Sequence, residues 1–296
     1  MTSARSAPTP AFSLGGGLPV RRLGFGTMRL ADDFASVHPA PVWSPPSDRR
    51  RALAVLRRAV ELGVQLVDTA DAYALGGGEE MVAEALHPYG DDLLIATKIG
   101  TVRPSPDEWV LFGHPDYLRQ QAELSLRRLR LDCLPLLQLH RIDPKVPLAD
   151  QIGALKRLRD EGKVRHIGLS EVTVRQIEQA SAIVPIAAVQ NEYNLAARRH
   201  DEVVAYCERQ GIAFLSYFPI AVGALSRAGG ALRKVADAVG ATPAQVALAW
   251  LLHRSPNVLP IPGTSSVAHL EENMAAAEVV LDDEHIALLS APDFRG

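Results

Sequence analysis

Apolar residues along the chain alternate between two periods. Short apolar runs of about 4 to 7 residues recur, and longer segments with helical spacing separate them. The runs lie at residues 22–27 (RLGFGT), 65–69 (QLVDT), 93–98 (LLIATK), 133–140 (CLPLLQLH), 164–170 (VRHIGLS), 187–193 (AAVQNEY), 212–218 (IAFLSYF) and 257–262 (NVLPIP), which gives eight predicted strands. Between them, Leu118, Ala122, Leu126 and Leu129 fall on one helix face, and Leu148, Ile152 and Leu155 fall on another. Thr242-Pro243-Ala244-Gln245 has the form of a capping box with proline at the first helical position, and it predicts a helix through Val246, Ala249 and Trp250. Gly63, Gly162, Gly211 and Gly240 each follow a helical pattern, as glycines that end helices do.

Strand–helix alternation predicts a parallel sheet, because parallel strands need crossover connections. Eight such units favour a closed (β/α)8 barrel over an open doubly wound sheet. No linker or shift in composition divides the chain, so residues 1–296 are expected to form a single α/β domain. Residues 1–10 read as a flexible tail. Residues 12–20, with Gly15-Gly16-Gly17, read as a hairpin placed to plug the bottom of the barrel. Two long connections lack periodicity: the Pro-rich 38–48 and the segment 101–116 with Trp109 and Phe112. Loops of this kind over the C-terminal face of a barrel are functional places, so Trp43, Trp109 and Phe112 are substrate-pocket candidates, with simple loop packing as the alternative.

Bulk properties narrow the partners. The 296 residues are 47% hydrophobic and 22% charged, with a formal net charge of -3. That balance gives no electrostatic reason to expect nucleic acid. No membrane-length apolar run and no signal peptide is legible, so a cytoplasmic protein is expected. Cys133 and Cys207 both sit in apolar stretches and read as thiols, not as a disulfide. Gly15–Gly17 and Gly76–Gly78 lack the spacing of a phosphate-cradling loop and read as turns. Arg49-Arg50-Arg51 reads as a solvated helix start.

Catalytic groups in a barrel sit at the C-terminal ends of its strands. Those ends carry Asp68, Lys98, His140, Ser170, Gln190 and Tyr217, and Tyr73 follows five residues after Asp68. An acid, a cation, an imidazole and a phenol thus converge. A metal cluster could be drawn through Asp68, Asp71, His140 and Asp143, but Lys98 at the centre and the lack of a second strand-end histidine argue against metal.

The segments VDTADAY (67–73), TK (97–98), QLH (138–140), IGLS (167–170), VQNEY (189–193), IPGT (261–264) and LEEN (270–273) together resemble the aldo-keto reductase family in order and spacing, over about residues 22–277. The resemblance implies a catalytic set of Asp68, Tyr73, Lys98 and His140. Tyr73 is the implied general acid. Lys98 would stabilise its phenolate and lower a pKa that is about 10 for a free phenol. Asp68 would hold Lys98, and His140 would orient a substrate carbonyl.

The resemblance also implies a nicotinamide cofactor, NADPH, with NADH as the alternative. Ser170, Glu171 and Gln190 lie at the implied carboxamide site, Tyr217 under the nicotinamide face, and Gly26, Thr27 and Met28 on its floor. Phe218, Pro219 and Ile220 fall on the pyrophosphate-facing loop. Ile261, Gly263, Thr264, Ser265, His269, Glu272 and Asn273 would wrap the adenosine end. The chain departs from the commonest pattern at Glu171 (usually Asn), Gly263 (often Lys), His269 (often Arg) and Phe218 (often small and polar).

Residues 241–276 and VQNEYN further resemble the pyridoxal reductase (pyridoxine 4-dehydrogenase) subgroup, which implies pyridoxal-like aldehydes as substrates. A monomeric enzyme acting on a small carbonyl compound is expected. The alternative is a regulatory subunit of the same fold that binds cofactor with little turnover.

Overall fold

Backbone hydrogen bonds join eight strands into one parallel sheet, and each strand pairs only with its neighbours in chain order. The computed structural model describes residues 11–17, 19–31, 41–227 and 229–291. The expected tail 1–10 and the first three residues of the 38–48 loop lie outside the described residues. The chain opens with an antiparallel hairpin, β1 (Ala11–Ser13) and β2 (Pro19–Arg21). Barrel strand β3 (Phe25–Gly26) leads to α1 (Arg49–Glu61), then β4 (Leu66–Asp68), α2 (Gly77–Leu86) and β5 (Leu94–Ile99). A two-residue hairpin, β6 (Thr101–Val102) with β7 (Val110–Leu111), interrupts the long segment that was expected to be irregular. The alternation resumes with α3 (Pro115–Leu129), β8 (Leu134–Leu139), α4 (Leu148–Asp160), β9 (Val164–Ser170), α5 (Val174–Ser181), β10 (Ile186–Glu192), α6 (Asp201–Gln210) and β11 (Ala213–Tyr217). Two helices, α7 (Gly230–Val239) and α8 (Pro243–Arg254), precede β12 (Val258–Pro260), and α9 (Val267–Ala275) and α10 (Asp283–Ser290) follow it.

The ladder runs β3-β4-β5-β8-β9-β10-β11-β12, and the first and last strands meet at a seam. Gly24 N donates to Pro260 O at 2.9 Å and Gly26 N to Pro262 O at 3.2 Å, which closes the barrel. Glycine is required at this seam, because a Cβ on Gly26 would lie 2.9 Å from Ile261 O and one on Gly263 would lie 2.5 Å from Gly26 O.

Side chains alternate across the barrel wall, as the two-residue period of a strand dictates. Outward residues such as Ile95, Leu137, Val189 and Phe214 pack under the helices, where Leu118, Ala122, Leu126 and Leu129 of α3 and Trp250 of α8 are also buried. Inward residues Leu66, Leu94, Ala96, Leu136, Ala188, Ala213, Leu215 and Leu259 fill the interior. Leu14 and Val20 of the N-terminal hairpin join that inner cluster with no exposure, so the hairpin stoppers the bottom of the barrel. Thr242 and Gln245 form both bonds of the expected capping box at the start of α8. Cys133 and Cys207 are free thiols, the second of them buried. Among the described residues no single helix is long and apolar enough to cross a membrane.

Candidate active site

The inward rows of the barrel change character at their C-terminal ends. Leu66 is followed two residues on by Asp68, Ala96 by Lys98, Leu136 by Gln138, Ala188 by Gln190 and Leu215 by Tyr217. The period that builds the apolar interior therefore also delivers a ring of polar groups to its mouth. Lys98 Nζ donates to Asp68 Oδ2 at 2.6 Å and to Thr69 O at 2.8 Å. Its third neighbour is the Tyr73 hydroxyl, at 3.5 Å. The other Asp68 oxygen accepts from Gln190 Nε2 at 2.8 Å and from Gln138 Nε2 at 3.1 Å. The Tyr73 and His140 rings stand edge to face with centroids 6.1 Å apart, and Trp109 meets the His140 ring at the same distance.

Electrostatics set the protonation of each group. Burial raises the Tyr73 pKa, and the Lys98 charge offsets only part of that rise. The expectation that Lys98 would bring the phenol below its free value is thus corrected: desolvation of the phenolate outweighs the ammonium, so Tyr73 holds its proton. Burial also works against the Lys98 ammonium, yet Asp68 and Tyr73 outweigh it and hold Lys98 charged. His140 is pushed well below the ordinary imidazole value, by burial first and then by Lys98, Arg141 and Arg103. It is a neutral imidazole, and its Nδ1 is buried without a hydrogen-bond partner among the described residues.

These groups open on a cavity of ≈ 340 Å³, within the size range of small-molecule sites. Its walls include Asp68, Tyr73, His140, Ser170, Gln190, Tyr217 and Trp109, with Met28, Leu111, Phe218, Ile220 and Val222 supplying apolar surface.

The sequence matches the profile described as the aldo/keto reductase family over residues 22–292. The chain belongs to the aldo/keto reductase family. It is 44% identical to pyridoxine 4-dehydrogenase of Escherichia coli across 91% of this chain and 94% of that protein. An uncharacterized oxidoreductase of Schizosaccharomyces pombe is 45% identical across 93% of this chain and 87% of that protein. An aldo-keto reductase from Klebsiella pneumoniae, solved in complex with NADPH, superposes with a TM-score of 0.81 at 27% identity and covers 97% of both chains. The protein is accordingly an oxidoreductase enzyme on the barrel of that family.

Within this aldo-keto reductase the residues expected to hold cofactor separate into two zones. Gly26, Met28, Ser170, Gln190, Tyr217, Phe218, Pro219, Ile220, Ile261 and Gly263 line the cavity. Thr264 and Asn273 are buried beyond it, Ser265 and His269 are exposed, and Glu272 accepts from Thr242 Oγ1 at 2.6 Å. Thr27 is buried with its hydroxyl unpartnered among the described residues. Ser266 caps α9, its hydroxyl accepting from His269 N.

Glu171 turns away from the cavity. Its carboxylate accepts from Glu192 N at 2.7 Å and pairs with Arg199 at 3.2 Å. Burial opposes its charge, but His200, with Nε2 3.6 Å away, the Glu192 amide and the nearby Arg141 hold its pKa at about 2. The backbone there is left-handed, at φ 55°.

Of the three pocket aromatics, Trp109 lines the cavity. Phe112 packs edge-on to Tyr117 at 5.0 Å and Trp43 sits beside Arg103, and neither lines the cavity. Asp143 is spent on structure, accepting from Gly113 N and Lys145 N at 2.9 Å each.

Three residues went unassigned in the sequence. Gln138 lies two positions before His140 on the same inward row, a register that could have flagged it. Arg141 follows His140 and lines the cavity. Arg103, almost fully buried, donates to Pro41 O at 2.6 Å, Pro106 O at 2.8 Å and Glu108 O at 2.9 Å, with its guanidinium 3.7 Å from the Trp109 ring centroid. It ties both long loops together and fixes Trp109, and nothing in local spacing announces it.

Proposed function

We propose that this enzyme reduces an aldehyde or ketone to an alcohol with NADPH, Tyr73 acting as general acid. The observation that carries the reading is that Tyr73, His140 and Asp68 line one cavity, with Lys98 Nζ held by Asp68 beside the Tyr73 hydroxyl. A carbonyl oxygen seated between the Tyr73 hydroxyl and the neutral His140 ring would receive a proton from the first and a hydrogen bond from the second. NADPH, when bound, supplies the hydride that reduces the carbonyl carbon. The phenolate left on Tyr73 would then face Lys98 Nζ, 3.5 Å away, until solvent returns the proton. Asp68 keeps Lys98 in place and charged, so the stabilising cation is present before it is needed.

The residues fit the dinucleotide. Gln190 gives its amide N–H groups to Asp68 and Gln138, which leaves its carbonyl oxygen to accept from a carboxamide. Tyr217 offers a flat face on the cavity wall, and the N-terminus of α9 suits phosphate. The NADPH complex of the Klebsiella relative supports NADPH over NADH. The likeness to pyridoxine 4-dehydrogenase and the aromatic wall at Trp109 support pyridoxal-like aldehydes as the substrate class. We take the enzyme to work as a cytoplasmic monomer.

Steady-state oxidation of NADPH, and of NADH in parallel, with pyridoxal, 4-nitrobenzaldehyde and a wider carbonyl panel tests the reading. Turnover with NADPH and an aromatic aldehyde is expected. Cofactor binding with no turnover on any carbonyl would replace it with a regulatory, cofactor-sensing role.

A further inference from the structure

A carboxamide presents one acceptor, its carbonyl oxygen, and one donor, its NH2 group, so a site that holds it needs one of each. Gln190 meets the donor. Its Nε2 lies 2.8 Å from the Asp68 carboxylate, which forces the NH2 end toward Asp68 and leaves Oε1 facing outward as an acceptor. The carbonyl oxygen needs an N–H or O–H. Residue 171 cannot give one, because Glu171 is ionised and its oxygens are taken by the Glu192 amide and Arg199. Arg141 stands on the cavity wall instead. Its Nη1 donates to Ser170 Oγ at 2.8 Å and to His140 O at 2.7 Å, which fixes the guanidinium beside Ser170. Among the described residues Nη2 makes no hydrogen bond, and the group lies over the Tyr217 ring, 5.9 Å from its centroid.

We infer that Arg141 is a cofactor-binding residue, which donates to the carboxamide oxygen of the nicotinamide in place of the amide side chain that position 171 lacks. The inference rests on the cofactor reading above and adds a residue to it. The chain divides two tasks between Glu171 and Arg141. Glu171 binds the Glu192 amide and Arg199, away from the cavity, while Arg141 holds the Ser170 hydroxyl and reaches the ligand.

Two ligands separate this role from a structural one. NADPH carries the carboxamide, and 2′-phosphoadenosine 5′-diphosphoribose carries everything else that the adenosine end recognises. Calorimetric titration of the parent, Arg141→Met and Arg141→Lys with each ligand is the experiment. Arg141→Met should weaken NADPH binding about tenfold, the scale of one charge-assisted hydrogen bond, and leave the diphosphoribose unchanged. Arg141→Lys, which keeps a cationic donor, should recover part of the loss. Equal weakening of both ligands would show that Arg141 acts on the fold, and unchanged NADPH binding would show that Ser170 suffices; either overturns the inference. Failure of the parent to bind NADPH at all would remove the cofactor reading, and this inference with it.

Discussion

Lys98 Nζ donates to Asp68 Oδ2 at 2.6 Å, with the two side chains only 1% and 4% exposed. A buried charge that loses its partner costs about 3–5 kcal/mol, because the remaining ion faces a desolvation penalty with nothing to offset it. Asp68→Asn is therefore expected to lower unfolding free energy by about that amount, measured by denaturant titration. The double variant with Lys98→Met should recover part of the loss, since it removes the orphaned cation. A single variant within about 1 kcal/mol of the parent, the worth of an exposed pair, would mean that water reaches the pair in solution.

Tyr73→Phe removes one oxygen and little volume. If the phenol is the proton donor, turnover should fall at least about a hundredfold, the lower scale for losing a general acid. NADPH affinity should be unchanged within error, because the hydroxyl faces Lys98 and the substrate side of the cavity. Single-turnover reduction and calorimetric binding separate the two effects. Retained turnover would assign the proton to another group, with His140 the first to examine.

The pH profile follows from two shifts in opposite senses. His140 is held well below the free imidazole value by burial and by the Lys98, Arg141 and Arg103 charges, so it does not gain a proton as pH falls through about 6.5. Tyr73 is raised above the free phenol value, so it does not lose its proton as pH rises toward about 10. The chemical step of reduction is expected to be level between about pH 6 and pH 9, read from single-turnover rates. An inflection near the free imidazole value would show His140 titrating and would contradict its desolvation. The stability term for His140 has a fixed sign. A depressed folded-state pKa means the unfolded chain binds the extra proton first, so this residue destabilises the fold progressively as pH falls below about 6.5.

Much of the architecture was legible because one period carried it. The runs at 65–69, 93–98 and 164–170 each contain an observed strand or nearly all of one, since a barrel wall must alternate inward and outward residues and be apolar on both faces. The same alternation placed Asp68, Lys98, Gln190 and Tyr217 at strand ends, where the barrel mouth collects them. The β6–β7 hairpin was not legible, because two-residue strands with one exposed edge leave no period to read. Arg141 and Arg103 were missed for a different reason: their roles come from contacts with segments distant in sequence, such as Ser170 and Pro41. Glu171 was legible as a departure, but its bonds to the Glu192 amide and Arg199 depend on segments more than twenty residues away.

Gly263 stands where the family resemblance leads one to expect a lysine for the 2′-phosphate, and the seam explains why no side chain fits. A Cβ there would lie 2.5 Å from Gly26 O, and the atom it meets is backbone that cannot rotate away. Gly26 N is itself bonded to Pro262 O at 3.2 Å, so relief would pull at one of the two bonds that close the barrel. Gly263→Ala should therefore cost about 1–3 kcal/mol, as overpacking does, and lower Tm by about 2–4 °C for each kcal/mol in a chain of this size. Gly263→Lys should lose stability at least as much, and it should not sharpen the ratio of NADPH to NADH affinity, because the ammonium would sit on a displaced strand end. Differential scanning calorimetry of both variants, with dissociation constants for the two cofactors, decides it. A Gly263→Ala protein as stable as the parent would show that the seam yields, and a lysine variant with raised NADPH preference would show that the position can carry a phosphate contact after all.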